Sequence, residues 1–198
     1  MRNNIMNERF TIWRFKDVPN AYVPKKLLNM EKTLRLLMGV SLVDDMPSNL
    51  QFSADPDYPN DQLMLDNFGN NQSVIPISPK LKAFLEDKNI PNLEFIPVDM
   101  LDHNGRVIVQ YFLLHSTEVI DAIDKDKTDL EVDDLNNEMY DSVDDLTLLE
   151  ESVPPHIQIF KVKGLYDVTC ISKALAKEID DNGFTGISWK EISTYSCI

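Results

Sequence analysis

The residues of this chain with the greatest capacity for chemistry are carboxylates. Between Thr117 and Glu151 fourteen acids stand against Lys125 and Lys127, a net charge of −12 in a chain of 198 residues whose formal charge is −14. Carboxylates at that density could ligate calcium, work in pairs as general acid and base, or present a charged face to a basic partner. Calcium needs an order that the stretch does not have. Asp124-x-Asp126-x-Thr128 begins like an EF-hand, but its sixth position is Asp129 where glycine is required, and its twelfth is Leu135 where a bidentate glutamate belongs. Acid–base work needs one particular converging pair, and abundance makes any chosen pair uninformative. A contact face would use Asp121, Asp124, Asp126, Asp129, Glu131, Asp133, Asp134, Glu138, Asp141, Asp144 and Asp145, with Leu135, Met139 and Tyr140 as apolar anchors. The plainest alternative is a solvated loop, and a loop can also be a contact face.

Other reactive residue types give less. His103, His115 and His156 stand far apart, with no two at metal-ligand spacing, so no zinc site is expected. No serine sits in a G-x-S-x-G elbow, and the six glycines form neither G-x-G-x-x-G nor G-x-x-x-x-G-K-[ST], so no cofactor is expected. Cys170 falls in an apolar run and Cys197 is penultimate, which reads as two reduced thiols. Trp13 and Trp189 read as core residues. The negative charge repels phosphate backbones and anionic membranes, which argues against nucleic acid and membrane partners. No run of about 18 apolar residues is present to cross a bilayer. The polar start, MRNNIMNERFTIW, has no signal-peptide centre, so a cytoplasmic location is expected.

The elements that must position these residues are organised by a duplication. Val74 to Val98 (VIPISPKLKAFLEDKNIPNLEFIPV) and Val168 to Ile192 (VTCISKALAKEIDDNGFTGISWKEI) align without a gap. Ile77 falls on Ile171, Ser78 on Ser172, Leu81 on Leu175, Leu85 on Ile179, Ile90 on Phe184, Leu93 on Ile187 and Phe95 on Trp189. Each copy reads as strand, serine-capped helix, turn and strand. Further strands are expected at Phe10 to Phe15, at Val107 to Leu114 after an Asn104-Gly105 turn, and at His156 to Val162. Val107 to Leu114 is apolar enough to be central and covered on both faces. Glu31 to Met38, stopped by Gly39, reads as a helix. Asp44 to Asn71, rich in Pro, Asp and Asn, reads as irregular connection. The whole is an α+β fold with a mixed or antiparallel sheet, expected as one globular domain over 1–198 in which the acidic segment 117–151 connects the repeats of 74–98 and 168–192.

The order of these pieces resembles the eleventh numbered family of immunity proteins from bacterial polymorphic-toxin systems. The residues that carry the resemblance are Asp66-Asn67-Phe68, Ile77-Ser78, Leu81, Leu85, Phe95-Ile96-Pro97-Val98, Ile159-Phe160-Lys161, Ser172, Leu175, Gly183-Phe184-Thr185-Gly186 and Trp189, over about residues 60 to 192. The resemblance implies a cytoplasmic, non-catalytic protein that protects its producer by binding a cognate toxin or effector. It supplies no catalytic motif, and the matching residues look structural. The partner expected from the charge is a protein with a basic surface. Two alternatives come from other classes: a small hydrolase or transferase using carboxylates of 117–151, and a regulatory or scaffolding module whose acidic loop orders on binding.

Overall fold

Both copies of the repeat fold as their capping serines require. In the computed structural model of the chain, which describes residues 9–31, 33–134, 136 and 139–197, Ser78 and Ser172 occupy extended backbone. Their side-chain oxygens accept from the amides of Leu81 at 3.1 Å and Leu175 at 3.2 Å. These bonds satisfy one of the amides that every helix start leaves open. The helices that follow are α2 (Pro79–Asp87) and α3 (Lys173–Asp181), the second ended by Asn182 and by Gly183 at φ 70°. Ser172→Ala is expected to lower stability by about 1 kcal/mol. Ser78→Ala is expected to cost about twice that, because the Ser78 hydroxyl also donates to Asp66 Oδ1 at 2.6 Å. Urea denaturation of the two variants checks the ranking.

In each copy a third strand separates the two repeat strands. The first copy supplies β4 (Ile75–Ile77) and β5 (Leu93–Leu101), and β6 (Val107–Ser116) lies between them, antiparallel to both. The second supplies β11 (Leu165–Ser172) and β12 (Ile187–Lys190), separated by β1 (Phe10–Phe15). Each copy is therefore a strand–helix–strand crossover that leaves room for one intervening strand, a split arrangement typical of α+β sheets.

The chain divides into two compact units. The first comprises the described residues up to Trp13, Glu118–Asn182 and those from Trp189 on. Its sheet has the order β12-β1-β11-β10-β7, where β7 is Val119–Ile120 and β10 is Ile159–Val162. Strand alternation sends Phe10, Ile12, Phe160, Val162, Val168 and Cys170 into one core, where Phe10 and Phe160 meet edge to face at 5.0 Å. Trp13 packs on Trp189 at 5.3 Å, and Trp189 Nε1 donates to Asp180 Oδ2 at 2.9 Å. Ile159 and Lys161 alternate to the other side of β10, and Lys161 is only 7% exposed.

The acidic stretch is a structural part of this unit. Besides β7 it forms a hairpin of β8 (Asp129–Val132) and β9 (Tyr140–Asp144), and it sends Ala122, Ile123, Val143, Leu146 and Leu148 into the core. The picture of a solvated connection is corrected here: apolar residues between the acids recur at positions that bury.

The second unit comprises Arg14–Thr117 and Gly183–Ser188. Its sheet has the order β2-β3-β5-β6-β4, where β2 is Pro24–Leu28 and β3 is Gln51–Ala54. β3 falls where the sequence suggested irregular connection. Pro24 is tolerated because it is the first residue of an edge strand. The core gathers Leu27, Leu36 from the short helix α1 (Thr33–Leu37), Leu42, Leu50, Phe52, Ile96, Met100 and Leu113. One expectation fails in part: β6 is covered toward its C-terminal end, but Val107 and Ile108, beside the Asp102–Arg106 turn, are exposed.

Residues 183–188 are tied into this unit by Asp66. Its Oδ2 accepts from the Thr185 amide at 2.8 Å and the Thr185 hydroxyl at 2.9 Å, while the Asn67 amide donates to the Thr185 carbonyl at 3.1 Å. Gly186 follows at φ 77°, and a Cβ there would stand 2.1 Å from the Asn67 carbonyl oxygen. Only glycine meets both demands.

Candidate protein-binding site

The β8–β9 hairpin sorts its residues by face. Leu130 lies opposite Val143, and Val132 opposite Tyr140; Val143 is fully buried, with Leu130 and Tyr140 packed on the same core. The period of two then turns Asp129 and Glu131 to the other face, opposite Asp144 and Ser142. Asp129 and Asp144 thus stand directly across from one another, an unfavourable like-charge pair. The Ser142 hydroxyl donates to Glu131 Oε2 at 3.2 Å.

A register shift after Glu131 leaves Asp141 as the extra residue of β9. Its carboxyl is held above the ordinary aspartate range, first by desolvation and then by Asp133, which also bonds to it, and by Asp134 and Glu131. Asp129, Glu131, Asp134, Asp141 and Asp144 are exposed and Asp133 is half-buried. The hairpin therefore brings six of the expected site residues onto one small element. Tyr140 sits on it too, half-buried as an anchor. Glu138 and Leu135 lie outside the described residues.

The other candidates are placed differently. Asp124 is 5% exposed and its charge is used within its own loop. Lys127 pairs with Oδ2, which holds the carboxyl below its usual range, and the Asp126 amide donates to Oδ1 at 3.3 Å. Its backbone amide donates to Thr147 at 2.9 Å and its carbonyl accepts from Thr128 at 2.9 Å. Asp124 is a turn-former, not a contact residue, because a buried carboxylate is stable only when paired. Asp121, Asp126 and Asp145 are exposed but lie off the hairpin strands. Lys125 bonds to Tyr140, which raises its affinity for its proton.

Carboxylate chemistry would need two acids converging in a pocket. Asp124 and Asp141 are shifted in opposite directions, but each is engaged by different neighbours. Three surface hollows of about 560, 450 and 380 Å³ are lined by residues between Phe15 and Ile108, and no residue of 117–151 lines any of the three. Among the described residues no group of three or more His, Cys, Asp or Glu is arranged to hold a metal ion. No helix of the described residues is long and apolar enough to cross a membrane.

Fold and face together describe an α+β protein that displays an acidic hairpin, with Ser78 and Ser172 capping helices and Cys170 buried. The model of the Immunity protein family (Imm11) matches residues 2–194, and the chain belongs to that family. The match takes in the front of the chain as well as the stretch from 60 to 192 on which the resemblance rested. No curated protein matches the chain.

Proposed function

We propose that this immunity protein neutralises a cognate toxin by binding its basic surface to the outer face of the β8–β9 hairpin, without performing a reaction. The observation that carries this reading is the Asp129–Asp144 juxtaposition beside the crowded Asp141 carboxyl. Such a face costs stability in the free protein, and a cationic partner relieves that cost by bringing the missing countercharges. Membership in the family supports a toxin as the partner and protein–protein contact as the means. The hairpin is already folded, so the reading does not need an acidic loop that orders on binding.

The test is binding to the product of the neighbouring open reading frame, rendered inactive by mutation. Wild-type protein is expected to associate quickly, with a rate that falls steeply as salt is raised from low ionic strength toward about 0.5 M, where screening acts within a few ångströms. A triple variant, Asp129→Asn, Glu131→Gln and Asp144→Asn, is expected to associate at least tenfold more slowly at low salt and to lose most of the salt dependence. Failure of the wild type to bind or protect would overturn the proposal; an unchanged rate in the triple variant would move the contact elsewhere on the molecule.

A further inference from the structure

We infer that the toxin joins the β8–β9 hairpin as a third strand: an extended segment with lysine or arginine at alternate positions pairs along the open edge of β8. This rests on the toxin-binding reading above and adds to it the backbone contact that holds the partner.

The direction of the backbone groups on β8 follows from Val143. In an antiparallel ladder, residues directly opposite one another alternate between pairs that exchange both hydrogen bonds and pairs that exchange none. The Val143 amide and carbonyl are both engaged on the far side of β9, where they exchange bonds of 3.0 Å with Cys197. Leu130, opposite Val143, therefore belongs to a pair that exchanges none and turns its amide and carbonyl off the outer edge of β8. Asp129 and Glu131 turn theirs inward, and the inward sense recurs at Asp133, whose amide donates to the Met139 carbonyl at 3.1 Å. Val132, between Glu131 and Asp133, faces outward like Leu130. Two residues thus offer two donors and two acceptors along one edge. Among the described residues the sheet holds β8 and β9 alone, and no bridge reaches β8 from its outer side. Val132 itself is 51% exposed.

Open edges are usually guarded by proline or lysine against pairing with another chain. β2, the edge strand of the second unit, begins with Pro24 and exposes Lys25 and Lys26. β8 reads Asp-Leu-Glu-Val and carries neither guard. Its protection is negative charge, which rejects some strands and admits others. If two copies of β8 paired antiparallel through their outward residues, Glu131 would meet Asp129, Glu131 or Asp133 of the other copy in every such register. Like charges directly opposite are destabilising, so a second copy is refused. A strand with basic side chains beside Asp129 and Glu131 makes the same pairs attractive, and apolar side chains between them cover Leu130 and Val132. In strand addition of this kind the main-chain bonds supply the hold and the alternate side chains the selectivity.

The experiment uses the full chain and the inactivated product of the neighbouring open reading frame. Amide hydrogen exchange, compared between the free protein and the complex, is expected to slow at least about tenfold at Leu130 and Val132 on binding. Val132→Pro removes an outward donor and no bond inside the hairpin, and its complex is expected to dissociate at least about tenfold faster than that of wild type. Val132→Thr keeps the amide and the branched side chain, and is expected to stay within about threefold of wild type. If wild type binds and neither amide slows, the inference fails and toxin binding stands, whatever the proline variant does. Slowed amides with Val132→Thr dissociating as fast as Val132→Pro would mean cover by side chains without a third strand, and would also overturn it. No binding by wild type overturns both readings. A wild-type dimer by light scattering at micromolar concentration that Val132→Pro dissolves would make the occupant a second copy and overturn the inference as stated.

Discussion

Lys161→Met is expected to be more stable than the wild type by about 3 kcal/mol at pH 7, an unusual sign for a core substitution. Lys161 lies on β10 with 7% of its surface exposed, and burial pushes its ammonium down from 10.5 to about 8, a displacement that the nearby charge of Asp167 only partly offsets. At about 1.4 kcal/mol for each tenfold change in proton affinity, the folded protein carries about 3 kcal/mol of strain whenever this side chain is charged. Methionine keeps the aliphatic stem and the packing while removing the charge. The sign of the pH dependence follows. Below about pH 8 the lysine is protonated in both states and the penalty is complete. Between about 8 and 10.5 the unfolded chain holds a proton that the folded chain has released, so wild-type stability rises with pH. Tyr111, pushed up to about 12 by burial, acts the other way: above about pH 10 it ionises only in the unfolded chain, and stability falls again. Chemical denaturation across pH 7 to 11 should give a maximum for wild type and no rise from 8 to 10 for Lys161→Met. A variant less stable than wild type at pH 7 would mean that the ammonium is well solvated or paired.

The second large effect is at Asp66. Asp66→Ala removes acceptors from the Ser78 hydroxyl and from the amide and hydroxyl of Thr185, and is expected to cost about 3 kcal/mol, because these bonds to a carboxylate are short and their donors have been placed for it. Gly186→Ala attacks the same tie from the backbone side. Its Cβ would stand 2.1 Å from the Asn67 carbonyl oxygen at a φ of 77°, so the segment must move or detach, and a loss at least as large is expected. Thr185→Val, which removes only the hydroxyl, should cost about 1 kcal/mol. Thermal or urea melts of the three variants check the order, and equal losses for all three would show that the tie does not act through hydrogen bonds to Asp66.

These residues explain why the resemblance to the family was legible before their purpose was. Asp66-Asn67, Ser78 and Thr185-Gly186 appeared as separate short motifs, yet they are one hydrogen-bonded tie whose members lie 119 positions apart. Spacing along the chain carries no sign of such a contact. By contrast β1, α2, α3 and the two serine caps could be read directly, since alternation, helical period and caps are local patterns. The hairpin of β8 and β9 was hidden for another reason. Its alternation is regular in Asp-Leu-Glu-Val but interrupted at Asp141 in Tyr-Asp-Ser-Val-Asp, and the density of acids around it reads as loop. The sequence singles out the stretch as a candidate face, and the pairing register decides which carboxylates share one side of the hairpin, leaving Asp124 inside.

The tie at Asp66 has a consequence for biosynthesis. The last six residues of the second unit, Gly183–Ser188, are made only after Glu118–Asn182 of the first, and the first in turn needs both Phe10–Trp13 and residues beyond Trp189. On the ribosome neither body can finish before residues 183–188 have been made, so the usual order in which an N-terminal domain matures while its successor is still being translated is closed to this chain. Both must wait for residues beyond position 182 to emerge, and a nascent chain arrested before position 183 should expose apolar surface to chaperones from both of them at once.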